Sequence, residues 1–381
     1  MNLNFVRKKE QMISADFIGN NIIEFYGSIH GTVFRACNFD PAANTVCEIS
    51  PEIKKYHFVT VRNCIYNQDK FYFSSYEKTD EGAKFSVYAY DFAGNESSCI
   101  FSFYEENISL NGFDRIKIFV LSSSNFLIQT EVFTPEKTRS LMGAISFKQK
   151  LYSTESGEFK DVNVPDFRNN GINSIIPVSE NMVVVKCGFS IMEDKRFTAL
   201  SENEALIESI YLTNSAQLIA DISLNKTTGS MRLIDTAYFE SCISTPAAKD
   251  QYIFYKNFNI PQNAVDINFV NTQSLKRFTY RIDDSNKEYD AMPLVIDNIP
   301  YIKLKSGNTE RFINLTRGLE DMEFLNEDFI CSSGNLLIFS KIRRGKECLR
   351  IYSYPSLRMI CEEQCSLEAI CRKNDEYYIY I

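Results

Sequence analysis

The two histidines are the first residues to consider for chemistry, because a Ser-His-Asp or Cys-His arrangement needs an imidazole as its general base. The chain has only His30 and His57. His30 lies in the segment Gly27-Ser-Ile-His-Gly, which is typical of a turn, and His57 stands at the start of a strand-like run. Neither has a sequence neighbour that would orient an imidazole. We therefore predict a structural position for both histidines and no catalytic residue.

Eleven cysteines could bind a metal ion or form disulfides, and their spacing argues against both. The densest group, Cys361, Cys365 and Cys371, lacks the paired short spacing and the fourth ligand of a structural zinc site. Most of the others lie inside apolar runs, where a thiol behaves as a small hydrophobe. The odd number favours unpaired thiols in a reducing compartment. We predict no metal site, with a three-cysteine site or a bridge between Cys361 and Cys365 as alternatives.

One basic cluster stands out on an otherwise acidic chain. The segment 341–347 lies between two strand-like runs, and Gly345 marks the turn of a hairpin. Arg343, Arg344 and Lys346 are expected to project from this turn; we call these three residues the basic tip. The basic tip is either a solvated loop or a contact for an acidic partner or a phosphate group. These are the binding residues that the sequence predicts.

The composition and the missing motifs exclude several classes of protein. There is no Walker loop, no G-x-G-x-x-G, no G-x-S-x-G and no EF-hand loop, so we predict no cofactor and lean against an enzyme. The formal net charge of −8 disfavours binding to nucleic acid. No stretch of about 18 apolar residues predicts a membrane span, and residues 1–11 lack the apolar region of a signal peptide. A cytoplasmic location is the prediction that follows.

The elements that must position these residues are short strands. The chain has 30 Phe and 21 Tyr, which favour half-buried strands, and helical periodicity is nearly absent. The best helix candidate spans 202–212 with Ser201 as its N-cap, although its second half, 207–212, could equally begin a strand. A shorter piece, 319–325, predicts one or two helical turns.

One pattern occurs eight times along the chain: a short apolar run, a polar turn, and a second run rich in aromatic residues. The turns recur about every 50 residues, which is typical of repeat architectures. Further strand-like runs follow the hairpins, such as 85–92 and 98–105, so each unit predicts the four antiparallel strands of a propeller blade. The polar turn residues are Asn21, Asp69, Asn125, Asn181, Asp250, Asn298, Asn335 and Asp375.

We therefore predict one all-β domain over residues 1–381, a β-propeller of four-stranded antiparallel blades. Seven blades are preferred, with eight or six, and other all-β folds, as alternatives. The last hairpin reaches the C-terminus with two strands, so a strand within Leu3–Lys9 is expected to complete the last blade. The short unit around Asn298 could be a half-blade. The long interval before Asp250 predicts an insertion at 191–206.

The function has to be predicted from the loops, because a fold does not define an activity. The first prediction is a cytoplasmic interaction module, a scaffold or adaptor that binds a partner protein or peptide through one propeller face. The alternative is a carbohydrate-active or sugar-binding propeller with carboxylates in its central funnel, and a nucleic-acid scaffold is disfavoured by the net charge. The carboxylates near predicted inner strands are Asp16, Asp114, Asp235, Glu327 and Glu368.

Overall fold

The computed structural model describes nearly three quarters of the chain, and the described side chains lie between Lys70 and Ile381. The described residues are 3–6, 14–18, 21–28, 31–40, 45–48, 53–56, 70–78, 82–94, 96–106, 116–133, 145–162, 171–179, 181–188, 208–224, 231–237, 241–259, 261–283, 290–367, 369–373 and 376–381.

The described strands form eight sheets, which follow one another along the chain. Sheet 1 contains β2 (Ser14–Ile18), β3 (Asn21–Ser28), β4 (Gly31–Asp40), β5 (Thr45–Glu48) and β6 (Ile53–Tyr56). Sheet 2 contains β7 (Lys70–Lys78), β8 (Gly82–Asp91) and β9 (Glu96–Glu106). Sheet 3 contains β10 (Ile116–Val120), β11 (Asn125–Phe133), β12 (Ile145–Ser153) and β13 (Glu158–Val162). Sheet 4 contains β14 (Ile172–Ser179), β15 (Met182–Cys187), β16 (Glu208–Asn214) and β17 (Arg232–Ala237).

The remaining four sheets come from the C-terminal part of the chain. Sheet 5 contains β18 (Ser241–Ile243), β19 (Ala247–Lys249), β20 (Tyr252–Asn259), β21 (Ala264–Asn271) and β22 (Arg277–Ile282). Sheet 6 contains β23 (Asp290–Ile296), β24 (Ile299–Ser306), β25 (Thr309–Asn314) and β26 (Leu319–Leu325). Sheet 7 contains β27 (Asp328–Ser333), β28 (Leu336–Arg343), β29 (Lys346–Ser353) and β30 (Arg358–Glu363). Sheet 8 contains β31 (Ala369–Lys373), β32 (Glu376–Tyr380) and β1 (Leu3–Val6).

The sheets are arranged around a common axis. Within sheets 1 to 7 neighbouring strands pair antiparallel, and the path runs from the first strand of the sheet to the last. The first strands of successive sheets lie side by side, as β23 does with β27, β27 with β31, and β31 with β2. These strands therefore surround the axis while the later strands radiate outwards. The prediction of a β-propeller built from antiparallel sheets, most of them four-stranded, is confirmed.

The described strands give eight sheets, so the preferred count of seven blades is corrected to eight, one of the alternatives. The unit around Asn298 is a complete four-stranded sheet and not a half-blade. The C-terminal hairpin forms a sheet of its own because β1 pairs with β32, in parallel, from Leu3 opposite Tyr377 to Val6 opposite Tyr380. The predicted closing strand at the N-terminal end is thereby confirmed.

The hairpin turns explain why the repeat was visible in the sequence. Ile296 pairs with Ile299, which leaves a two-residue turn in which Asp297 and Asn298 have φ of 49° and 61°. Such a type I′ turn requires positive φ at both positions and favours Asn, Asp and Gly. Asp250 adopts the same backbone region, with φ of 53°. The hairpin predicted around Asp69 extends outside the described residues.

In sheets 3 to 7 the outer strand is more exposed than the second strand. β24 is buried over five successive residues, whereas β30 at the outer edge of sheet 7 is largely exposed. Six apolar clusters join consecutive sheets, from sheets 2 and 3 through to sheets 7 and 8, and each combines side chains of two neighbours. Stacking of neighbouring sheets therefore buries the apolar faces that a lone four-stranded sheet would leave in water.

Two helix predictions are corrected. Residues 208–212 belong to β16, which pairs with β15 and β17, so pairing outweighs their helical pattern. Residues 319–325 form the outer strand β26 because they pair with β25. The helix that does form, α1 (Ser215–Leu224), is capped by the side-chain oxygen of Asn214, which accepts from the Gln217 N–H at 3.1 Å. No described helix is long and apolar enough to cross a membrane. The insertion predicted at 191–206 lies outside the described residues.

Polar side chains connect each of four sheets to the first strand of the next sheet. In every case the side chain is the fifth residue of the second strand in its sheet, and it contacts the following sheet directly or through a carboxylate. We call these contacts latches. The latch residues are Gln129, Lys186, Lys256 and Lys303, and their targets on the next sheet are Ile172, Ile243, Ala291 and Phe329.

The latches satisfy backbone groups that an innermost strand cannot pair on its open edge. Gln129 bonds both backbone groups of Ile172, accepting from its N–H at 2.7 Å and donating to its carbonyl at 3.0 Å. Between sheets 4 and 5, Lys186 donates to the Ile243 carbonyl, and Glu208 accepts from the Ile243 N–H. The latches thus hold the inner strands in fixed positions around the axis.

Candidate functional site

The basic tip occupies the hairpin turn that the sequence predicted. Arg344 and Gly345 have φ of 53° and 75°, and all three basic side chains are exposed. Arg343 donates to Glu362 at 2.8 Å, so part of the positive charge of the tip is neutralised within sheet 7. Hydrogen bonds from Arg350 and Arg343 hold the pKa of Glu362 below its usual value. Binding by the basic tip stays a prediction.

The funnel carboxylates predicted from the sequence are not brought together among the described residues. Asp235 lies on β17, the outer strand of sheet 4, where it accepts from Tyr255 at 2.8 Å. Glu327 precedes β27 and accepts from Arg350 and from Tyr352, the latter at 2.8 Å. Asp235 and Glu327 therefore accept hydrogen bonds from two separate groups of side chains. The side chain of Asp16 and residues 114 and 368 lie outside what the structure describes.

The predicted histidine and cysteine positions give no site either. Residues 30 and 57 lie outside the described residues, as does the side chain of residue 371. Burial raises the pKa of the Cys365 thiol to about 11 and also raises that of Cys361, so both stay protonated at neutral pH. Within the described ranges no group of three His, Cys, Asp or Glu side chains could hold a metal ion.

A different group of residues meets where three inner strands end. Lys249 closes β19, Val295 is the sixth residue of β23, and Ser332 is the fifth residue of β27. Each strand then enters its hairpin turn, so the three residues lie at the same end of the axis. We call this group, together with Cys331, the inner-strand junction. Sheets 5, 6 and 7 all contribute to it.

Hydrogen bonds hold the inner-strand junction in one geometry. Lys249 Nζ lies 2.7 Å from Ser332 Oγ and donates to the Ser332 carbonyl at 2.8 Å. Ser332 Oγ donates to the Val295 carbonyl at 3.2 Å. The Lys249 side chain therefore connects sheet 5 to sheet 7, and Ser332 connects sheet 7 to sheet 6.

The electrostatics of the inner-strand junction are those of a partly buried amine. Burial lowers the pKa of Lys249, and the neighbouring carboxylate of Asp250 opposes that shift. Burial raises the pKa of Cys331 to about 11, against the effect of the Lys249 charge. An amine with a lowered pKa is a weaker base than a solvated lysine, but a larger fraction of it is neutral at a given pH, while the thiol beside it stays neutral.

Sequence reasoning missed the inner-strand junction because its residues are far apart in the chain. Lys249 and Ser332 are separated by 83 positions, so no linear motif contains both. Their positions in the repeat also differ: Lys249 directly precedes its hairpin turn, whereas Ser333 separates Ser332 from the next turn.

Comparisons with known proteins support the fold. No family profile and no curated protein matches the sequence. Dipeptidyl peptidase 4 of Porphyromonas gingivalis matches with a TM-score of 0.50 at 9% identity, over 93% of this chain and 52% of that chain. A structure from an analysis of two prolyl endopeptidases matches with a TM-score of 0.50 at 8% identity, over 93% and 48%. The chain thus spans about half the length of each.

These similarities correct the functional prediction. The two structures named above are peptidases by name, so the prediction of an interaction scaffold or adaptor is wrong, and neither structure supports the sugar-binding alternative. This chain is a propeller similar in fold to parts of hydrolases.

Proposed function

We propose that this propeller takes part in peptide hydrolysis, and that Lys249 binds a carbonyl or carboxylate oxygen of the peptide. Two independent observations support this proposal. The fold is similar to parts of two peptidase structures. The inner-strand junction supplies a cation at the ends of inner strands, where loops and strand ends of a propeller can form a ligand site.

The observation that carries the proposal is the hydrogen bonding of the Lys249 ammonium. An ammonium has three N–H donors. Two of them point to the carbonyl and the hydroxyl of Ser332, at 2.8 and 2.7 Å. No other described residue accepts from Lys249 Nζ, so one donor is left for an oxygen of a bound molecule. A charge-assisted hydrogen bond of this kind is well suited to a peptide carbonyl or a terminal carboxylate.

The position of Lys249 also limits what can bind. Its side chain is partly buried and reaches from sheet 5 to Ser332 of sheet 7. A bound peptide must therefore approach along the axis at the end where the inner strands turn. We expect an extended peptide to fit this approach better than a folded protein surface.

The test uses the full chain and a mixture of synthetic peptides, with cleavage followed by mass spectrometry and binding by isothermal titration calorimetry. We expect cleavage by the unchanged protein and a loss of peptide binding of about tenfold or more in Lys249→Ala, as for a charge-assisted hydrogen bond of about 1.5–3 kcal/mol. Lys276→Ala is the matched control, because Lys276 is an exposed lysine whose ammonium lies over the Phe278 ring.

Two results would overturn the proposal. One is a folded protein, judged by circular dichroism, that cleaves no peptide of the mixture. The other is peptide binding that Lys249→Ala and Lys276→Ala weaken to the same extent, because the effect would then reflect net charge alone.

A further inference from the structure

We propose that Ser332 is a nucleophile and Lys249 its general base, so that the inner-strand junction forms an acyl-enzyme with amide or ester substrates. This inference rests on the proposed function and names the residues that would carry out its chemical step. The geometry of two side chains from different sheets carries it. Serine and lysine without histidine are a known convergent variant of serine-based acyl transfer.

The distance between the two side chains meets the geometric requirement. Lys249 Nζ and Ser332 Oγ are 2.7 Å apart, within the range in which a base can take a hydroxyl proton. Contacts to the carbonyls of Ser332 and Val295 hold the two groups in place, at 2.8 and 3.2 Å. Both side chains keep part of their surface exposed, which a substrate carbonyl would need for access.

The surroundings favour a proton acceptor at this point. Burial of Lys249 disfavours its charged form, and the described residues place no carboxylate within salt-bridge distance of its ammonium. In the structure Lys249 Nζ donates to Ser332 Oγ and Ser332 Oγ donates to the Val295 carbonyl, so the proposed step requires Lys249 to lose a proton and the Ser332 hydroxyl to turn its own proton towards Nζ. Cys331, the adjacent residue, is the rival nucleophile, but its raised pKa of about 11 keeps the thiol protonated.

The reaction has two balanced steps. First, Ser332 Oγ bonds to the substrate carbonyl carbon while its proton passes to the neutral Lys249 amine. The bond from carbon to the leaving amine or alcohol then breaks, and Lys249 returns that proton to the leaving group. Second, water attacks the ester on Ser332, Lys249 takes the proton of the water and passes it to Ser332 Oγ, and the acid product leaves. Water is the only co-reactant.

The first experiment traps the nucleophile with a biotinylated fluorophosphonate. Ser332 Oγ would bond to phosphorus with loss of fluoride, and mass spectrometry of the digested protein locates the adduct. We expect an adduct on the peptide that contains Ser332, no adduct in Ser332→Ala, and an unchanged adduct in Ser333→Ala. Ser333 is a matched control because it is the next residue on β27 and is also partly exposed.

The second experiment separates the base from the binding charge. Lys249→Arg keeps a positive charge but cannot act as a base, because a guanidinium stays protonated. We expect Lys249→Arg to bind peptide while labelling and cleavage fall by about 100-fold or more, the contribution typical of a general base. Ser332→Ala should likewise bind peptide without cleaving it. Thermal unfolding of each variant identifies any that has lost its fold.

The outcomes distinguish this inference from the proposed function. Peptide cleavage that persists in Ser332→Ala, with no adduct on Ser332, overturns the nucleophile and leaves the proposed function standing. An adduct on Ser332 without cleavage of any peptide supports the nucleophile and overturns peptide hydrolysis. Neither cleavage nor an adduct overturns both, and the 2.7 Å contact would then be a structural tether between sheets 5 and 7.

Discussion

Lys186 Nζ lies 3.1 Å from a carboxylate oxygen of Glu208, and the two side chains are only 3% and 2% exposed. Removing two charges from water is costly, so such a pair persists only where further hydrogen bonds satisfy it. Here these bonds go to the carbonyl and the N–H of Ile243, the inner strand of the next sheet. The ion pair between Lys186 and Glu208 therefore connects sheet 4 to sheet 5.

The buried pair yields the first prediction. Glu208→Ala would leave the Lys186 ammonium buried without its partner and the Ile243 N–H without an acceptor, so we expect a loss of about 3–5 kcal/mol in the free energy of unfolding. Denaturant titration measures this loss. Lys305→Ala is the control, because the pair of Lys305 with Asp328 is 37% and 61% exposed, and we expect it to cost less than about 1 kcal/mol. Equal losses in the two variants would contradict the prediction.

A second prediction concerns the glycine beside the Gln129 latch. A Cβ at Gly171 would lie 2.6 Å from the Phe147 ring and 2.8 Å from Gln129 Nε2. Gly171→Ala must therefore displace the ring or the latch, and we expect destabilisation of about 1–3 kcal/mol from overpacking. Thermal unfolding compares it with Gly94→Ala, where the nearest atom is 3.6 Å away. A Gly171→Ala protein as stable as the unchanged one would contradict this prediction, because it would show that the contact between sheets 3 and 4 accommodates the added methyl group.

The third prediction is a pH dependence set by Lys249. The pKa of Lys249 is lowered in the folded protein, so the unfolded state binds more protons at pH values between the folded pKa and the ordinary lysine pKa of 10.5. Stability should rise with pH across that window as the buried charge is lost. If Lys249 is the base, the rate of acyl-enzyme formation should rise over the same window. Labelling rates against pH check this, and the rise should be absent in Lys249→Arg.

The fourth prediction contrasts two arginines of sheet 7. Arg350 is 17% exposed and bridges Glu327 and Glu362, so Arg350→Met would leave the Glu327 carboxylate largely buried with less compensation. We expect a loss of about 3–5 kcal/mol in the free energy of unfolding. Arg344 projects from the basic tip, and Arg344→Glu should change stability by less than about 0.5 kcal/mol. Chemical denaturation of both variants tests the contrast, and a large loss in Arg344→Glu would show that the basic tip is structural.

The hairpins could be predicted from the sequence because their turns depend on local backbone chemistry. Two-residue turns such as Asp297–Asn298 need positive φ and therefore select a narrow set of residues. Helix α1 was missed although Asn214 caps it and Leu218 and Ile222 repeat at helical spacing. The blade count was missed because the short unit around Asn298 was taken as a possible half-blade, whereas it forms a complete four-stranded sheet.

The latches could have been predicted from the sequence, whereas the inner-strand junction could not. Gln129 and Lys186 each follow four mostly apolar residues at the start of a second strand, and alignment of the repeats shows this regularity. Lys249 and Ser332 meet only because sheets 5 and 7 turn at the same end of the axis. Tertiary placement of this kind depends on how the sheets pack, so residue types alone could not predict it.

The parallel pairing of β1 with β32 has a mechanical consequence. Leu3 pairs with Tyr377 and Val6 with Tyr380, so the chain enters the pair at one end and leaves it at the other. A force applied through the residues before Leu3 and after Tyr380 runs along both strands in opposite directions. It loads the backbone hydrogen bonds in shear, all together, instead of opening them one after another. The joint between the two ends of the ring is therefore oriented to resist tension.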